Sequence, residues 1–272
     1  MDIDQIIEEW LSTGRRSNGT QLGYRTDVND FLAFIGKESL AEIVLDDVTR
    51  FSAHLKETVK PATHQRKLAA IHSLFRYAHQ RHYIAENFAA LVQAGRPKDD
   101  LGEKIVDPPE IQKLINAAAE NQRNSLLIRL LYRSAGRVSE VINLRWRDLQ
   151  ARDEGGQICI YGKGRKTRYV VIPAGLWADL MSVKGEAGPD DHLFNICRQH
   201  VWRIVKKIAL EAGVTGDISP HWFRHAHASH ALEKGATLAQ VKETLGHTDV
   251  KTTSRYLHAR PDESSSQFLE IG

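Results

Sequence analysis

Through the first third of the chain, apolar residues recur at intervals of three and four. Ile3, Ile6, Ile7, Trp10 and Leu11 fall at i, i+3, i+4, i+7 and i+8, the stripe of an amphipathic helix. Small and polar residues from Gly14 to Gly19 interrupt it. A second helix is predicted with Leu22, Val28, Phe31, Leu32 and Ile35 as its apolar face and Gly36 as its stop. Val48, Phe51 and Leu55 predict a third, shorter helix. Pro61 suits the first turn of a fourth, which carries Leu68, Ile71, Leu74, Phe75 and Ala78 on one side. These residues are the expected core of a small helical bundle.

The stretch from Gly95 to Glu103 breaks the pattern. It holds glycines, a proline and mixed charge, with almost nothing to bury, and reads as an interdomain linker. Pro108-Pro109-Glu110 then opens a helix through Leu114 and Ile115, and another is predicted from about Ser125 to Ser134. The strong β signal lies in the middle. Gln157-Ile158-Cys159-Ile160-Tyr161 alternates, and Tyr169-Val170-Val171-Ile172 is β-branched and stops at Pro173. The basic, glycine-rich Gly162 to Arg168 joins them, so the pair is predicted to be a hairpin. From Trp177 onward the pattern is helical again, punctuated by Gly213, Gly216, Gly235 and Gly246. The expectation is a mainly α fold with a small β-sheet or hairpin: a helical domain over 1–95, a linker over 96–104 and a second domain over 105–272.

Composition narrows the function classes. A length of 272 residues favours two domains, and a hydrophobic fraction of 42% supports ordinary packed cores. The net charge of +3 and pI near 8.8 permit a nucleic-acid partner without requiring one. Cys159 and Cys197 have no paired spacing, which argues against a disulfide framework or a four-cysteine zinc site and fits a reducing cytoplasm. No apolar run approaches the length of a membrane span, and the acidic start lacks the features of a signal peptide. A soluble cytoplasmic protein is expected.

Cationic and imidazole residues stand in sharply bounded contexts. Arg137 lies in Ser134-Ala135-Gly136-Arg137-Val138-Ser139-Glu140, where a glycine opens a helix. Lys163 lies at the hairpin turn. His221 and Arg224 are three apart in His221-Trp222-Phe223-Arg224-His225, on one face of a helix. His247 follows Leu245-Gly246, and Tyr256 ends Thr252-Thr253-Ser254-Arg255-Tyr256. A zinc reading of His221, His225, His227 and His230 is disfavoured. Trp222 stands where a zincin has glutamate, and no cysteine or carboxylate cluster completes a site. His227 and His230 are expected on the helix surface or near DNA.

Taken in order, these motifs resemble the tyrosine recombinases, or phage integrase family. The Gly-Arg-Val-Ser-Glu stretch, the Gly-Lys-Gly turn, His-x-x-Arg-His, Leu-Gly-His and the final tyrosine all match, and the compact Xer-type subgroup is the nearest in look. Phe223 stands where leucine is usual, Ala226 where Ser or Thr is frequent, and Asn87-Phe88 in place of Asn-Pro. The resemblance implies an N-terminal SAM-like DNA-binding domain and a catalytic domain closing as a C-shaped clamp on double-stranded DNA. It implies site-specific recombination through a 3′-phosphotyrosine and a Holliday junction, in a homotetramer, with or without an accessory recombinase. Integration or excision of a mobile element and resolution of chromosome or plasmid dimers are both open.

The chemistry suits the residue types. A phosphodiester under attack passes through a five-coordinate phosphorus with added negative charge, and stabilising that charge is the largest available effect. Arginine forks match two phosphate oxygens, so Arg137 and Arg224 are the expected clamp and His247 a further donor. Tyrosine has an unperturbed pKa of about 10 and needs a proton acceptor, for which His221 is the candidate. The resemblance assigns protonation of the departing 5′ oxygen to Lys163, orientation of the site to Glu140 and a structural place to His225. Lys166 and Arg168 are expected to contact the phosphate backbone. No metal, nucleotide or other cofactor is required. The terminal Phe268-Leu269-Glu270-Ile271 is either a frayed end or, by the resemblance, a helix docking on a neighbouring protomer. A type IB topoisomerase and a non-catalytic architectural DNA-binding protein are the alternatives.

Overall fold

The computed structural model describes residues 2–14, 17–95, 101, 104–162, 167–247, 249, 252–254 and 256. Its contacts divide the chain into two compact units, Met1–Lys98 and Asp99–Gly272.

The first unit holds α1 (Ile3–Ser12), α2 (Asn18–Ile35), α3 (Leu45–Thr58) and α4 (Pro61–Gln80). Every residue of the α1 stripe is buried, and Trp10 is fully so. Its partners are the inward stripes of the other three helices: Val28 and Phe31; Val48, Phe51 and Leu55; Leu68, Ile71, Leu74, Phe75 and Ala78. Leu22 departs from expectation and is 67% exposed. Six residues before Val28 it lies about 240° around the helix, off the buried stripe. The third helix is shorter than the second, as expected, and Asp47 caps its start at Leu45 by accepting the Val44 backbone N–H at 2.9 Å.

In the second unit α5 (Pro108–Ala117) leads into α6 (Gln122–Ser134), which starts three residues earlier than its apolar pattern because the Asn121 side chain caps it. Leu126, Leu127, Ile128, Leu130 and Leu131 bury α6 almost all round, against α5, a helix α8 (Ala174–Ser182), a helix α10 (Pro220–Glu233) and the sheet. The short α7 (Val138–Ile142), α9 (Arg198–Glu211) and α11 (Leu238–Leu245) complete the described helices named here. Leu101 lies within the stretch read as having little to bury, yet it is 6% exposed and packs with Ala135, Leu245 and Tyr256.

The hairpin is present and extended by one strand. β1 (Leu149–Ala151), β2 (Gly156–Tyr161) and β3 (Thr167–Ile172) form an antiparallel sheet in the order β1-β2-β3, with Tyr161 opposite Thr167 and Gly156 opposite Ile172. At three residues β1 is too short to show a period. Gly155, at φ +88°, turns it back. The alternation along β3 places Val170 and Ile172 inward and Thr167, Tyr169 and Val171 outward. Arg168 has the inward parity.

Candidate active site

Arg137 caps the start of α7, just after a tight corner. Ala135 ends α6 at φ +48°, an uncommon conformation for a residue with a Cβ. Gly136 follows, where an added Cβ would stand 2.7 Å from Val141 Cγ2 and 3.0 Å from Ser134 Oγ. One turn later, Glu140 returns to grip Arg137. Its Oε2 accepts the Arg137 backbone N–H at 2.9 Å and its Oε1 accepts Nη1 at 2.8 Å. The Arg137 side chain remains 39% exposed, facing a cavity of about 770 Å³ that His247, Gly246 and Tyr169 also line.

Arg168 is expected as a phosphate-backbone contact, yet its side chain is only 7% exposed, because its parity on β3 carries it inward. Nη2 donates to Glu140 Oε2 at 2.7 Å and Nε donates to the Thr244 carbonyl at 2.7 Å. Burial alone would raise the pKa of Glu140, but the bonds from Arg168 and Arg137 outweigh it and hold the carboxyl below the usual range.

Arg224, on α10, is buried. Nη1 donates to the Ala135 carbonyl and Nη2 to the Leu245 carbonyl at 2.6 Å. Burial, with Arg137 and Arg168 nearby, pushes its pKa down to about 10, so it stays charged at neutral pH. Two of its five N–H donors are thereby used and three remain. The end of α11 is thus held by two arginines at consecutive carbonyls, Thr244 and Leu245. Gly246 then turns at φ +65°, with its Cα face against Arg168.

His247 leaves that turn into the same cavity. Burial, then Arg224, Arg137 and Arg168, push its pKa down to about 4, so the ring is neutral at physiological pH. Its Nδ1 is 2.9 Å from Oγ1 of Thr253, a fully buried residue. Tyr256 is itself 6% exposed, and its hydroxyl lies 2.8 Å from Nδ1 of His225. His221 lies one turn earlier on α10 with an exposed ring. Partial desolvation and then Arg198, Arg224 and Arg137 lower its pKa. The described residue that meets the tyrosine hydroxyl is therefore His225, where the sequence had suggested His221.

The remaining histidines face elsewhere. His227 Nδ1 bonds the Tyr132 carbonyl at 2.9 Å and His230 Nδ1 the Tyr132 hydroxyl at 3.0 Å. Both meet Tyr132 of α6, His230 buried and His227 half-buried. Phe223 and Ala226, the two departures within the His-x-x-Arg-His region, are buried in the core of this unit. The terminal Phe268–Ile271 segment lies outside the described residues, as do Lys163, Lys166 and the rest of residues 163–166, which are flanked by Gly162 and Thr167. These two border the 770 Å³ cavity. In the sequence Thr253 stands out only as part of the tyrosine's context. The signal for it was a threonine one helical turn before Tyr256, on the same face.

Two family patterns match the chain: the Phage integrase family over residues 104–263 and the Phage integrase N-terminal SAM-like domain over residues 3–82. A tyrosine recombinase of Pseudothermotoga lettingae is 34% identical, over 96% of this chain and 95% of that protein. The tyrosine recombinase XerD of Listeria monocytogenes is 30% identical, over 94% of each. Among solved structures, XerH bound to its difH substrate in a post-cleavage complex superposes with a TM-score of 0.77 at 21% identity, covering 91% of this chain and 78% of that one.

Proposed function

Since the chain belongs to the phage integrase family of tyrosine recombinases, we propose that Tyr256 is the nucleophile with which it cleaves and rejoins DNA. The observation that carries this assignment is the Tyr256 hydroxyl held at 2.8 Å by His225, beside the buried guanidinium of Arg224.

In the cleavage step the phenol oxygen bonds to phosphorus and the bond from phosphorus to the 5′ oxygen breaks. His225 takes the phenol proton. Arg137, through the exposed part of its fork, and Arg224, through its remaining donors, meet the non-bridging oxygens. His247 donates a third hydrogen bond. Glu140 and Arg168 touch no substrate and fix Arg137 and the α11 turn. The departing 5′ oxygen needs a proton, which we assign to Lys163. The products are a 3′-phosphotyrosine and a free 5′-hydroxyl. Because the phosphoryl bond is conserved, another 5′-hydroxyl can reverse the step, which is what strand exchange needs.

Residues 1–95 form the DNA-binding arm in this reading, 96–104 the linker and 105–272 the catalytic domain. Strand exchange between two duplexes uses four cleavage sites and each chain supplies one nucleophile, so the working assembly is a homotetramer on a Holliday junction. Genomic or plasmid DNA as substrate sets the protein in the cytoplasm. Among the described residues no helix is long and apolar enough to cross a membrane. Affinity rests largely on phosphate contacts and falls steeply with salt.

The test is covalent trapping on a nicked duplex that loses its 5′-hydroxyl fragment after cleavage. The chain forms an adduct on its recombination site and Tyr256→Phe forms none while still binding DNA. An undiminished adduct with Tyr256→Phe would overturn the nucleophile assignment.

A further inference from the structure

Thr253 is fully buried on the short helical turn that carries Tyr256, three residues before it. Its hydroxyl meets His247 Nδ1 at 2.9 Å. A buried hydroxyl left without an acceptor costs about 1–3 kcal/mol. Among the described residues the acceptor within reach is Nδ1 itself, so the threonine donates and the nitrogen accepts.

That direction has a chemical consequence. Burial, then the charges of Arg224, Arg137 and Arg168, keep the His247 ring neutral. A neutral imidazole has one N–H, on one nitrogen or the other. With a proton on Nδ1, the ring would turn a lone pair toward the phosphate oxygens and repel them. With Nδ1 accepting from threonine, the N–H must sit on Nε2, where it can donate. We infer that Thr253 is a positioning residue that fixes His247 in the Nε2–H tautomer and makes this state conditional on the seating of the Tyr256 turn. Both ends of the contact belong to the cleavage machinery: one to the nucleophile's own turn, the other to a phosphate donor. When the turn is displaced, the hydroxyl leaves Nδ1 and the site loses its nucleophile and the orientation of its donor together. This inference rests on the assignment of His247 as a phosphate donor.

The test compares Thr253→Val, which keeps shape and removes the hydroxyl, with Thr253→Ser, which keeps the hydroxyl. The readout is single-turnover adduct formation on the nicked duplex, with DNA affinity measured alongside. Hydrogen-bond partners that orient metal-bound histidines matter by about 10–100-fold, and a comparable range is expected here. Thr253→Val is expected to slow cleavage within that range while DNA affinity changes less than about twofold, and Thr253→Ser to stay within about threefold of the parent. In the unmodified chain, nitrogen-15 histidine spectra at neutral pH should show His247 protonated on Nε2, assigned with His247→Gln. A Thr253→Val protein that cleaves at the parental rate while His247→Gln is slow overturns the role of Thr253 alone. A His247→Gln protein that cleaves at the parental rate overturns the donor assignment and this inference with it. An Nδ1–H signal in the unmodified chain overturns the tautomer argument even where Thr253→Val does not fold.

Discussion

Replacing Arg168 with methionine removes a guanidinium that is 7% exposed and leaves the Glu140 carboxylate, 6% exposed, with Arg137 as its remaining cation. Breaking one side of a buried pair costs about 3–5 kcal/mol, because the surviving charge stays desolvated. The Thr244 carbonyl also loses its donor, so the upper part of that range is expected. The assay is urea unfolding of the full chain, with hydrogen exchange read separately over residues 135–142 and 242–247. Those two segments should lose protection together, because Arg168 joins them. The pH dependence has a definite sign. Glu140 titrates below its ordinary value of 4.5 in the folded chain, so its contribution is present above that value and disappears as pH falls through the folded pKa. The deficit of Arg168→Met is therefore full at neutral pH and shrinks once Glu140 is protonated. Adding Glu140→Gln should recover part of the loss, giving a coupling of about 1–3 kcal/mol. A residue contacting the DNA backbone behaves otherwise: its loss lowers the salt slope of DNA binding by about one and costs little stability. A stability change below about 1 kcal/mol with such a reduced slope would refute the buried-strap reasoning.

Three further outcomes follow from the same geometry. Gly136→Ala places a methyl 2.7 Å from Val141 Cγ2 and 3.0 Å from Ser134 Oγ; a cost of about 1–3 kcal/mol in urea melts and a shifted Arg137 should slow cleavage. His227, half-buried against Tyr132, has its pKa lowered to about 4, chiefly by desolvation. Its neutral form stabilises the fold above pH 6.5 and that stability is lost as pH falls toward 4, about 2 kcal/mol of it between about pH 7.5 and pH 5; His227→Gln should flatten this dependence in urea melts taken at the two pH values. Finally, His225→Ala should slow adduct formation more than His221→Ala in single-turnover assays, since His225 is the ring against the Tyr256 hydroxyl; the opposite order would return the acceptor role to His221.

What the sequence made legible is what short-range spacing determines. The helical stripes of the first unit, the hairpin and the ordered site motifs all depend on residues within a turn or two of each other. Arg168 was also legible in principle, because it shares inward parity with Val170 and Ile172, but a basic glycine turn beside it suggested a solvated loop. The choice between His221 and His225 was not legible. Both lie on one face of α10, and which one meets Tyr256 depends on where a turn 31 residues beyond His225 comes to rest. Thr253 was hidden for the same reason: a threonine in a helix reads as unremarkable until His247 is placed beside it. Leu22 failed differently, since its spacing to Val28 is not helical and only its apolar character suggested burial.

The inner group around Tyr256 also has a charge count. Arg137, Arg168 and Arg224 present three guanidinium groups and Glu140 one carboxylate, while the depressed pKa of His247 keeps that ring neutral. Two positive charges are left uncompensated within this group. A bound phosphodiester carries one negative charge, and the five-coordinate species formed during attack carries two. The net charge of these four described groups therefore equals in magnitude that of the passing state and exceeds that of the substrate. Such an imbalance is how a protein holds back part of its attraction until the reaction itself calls on it.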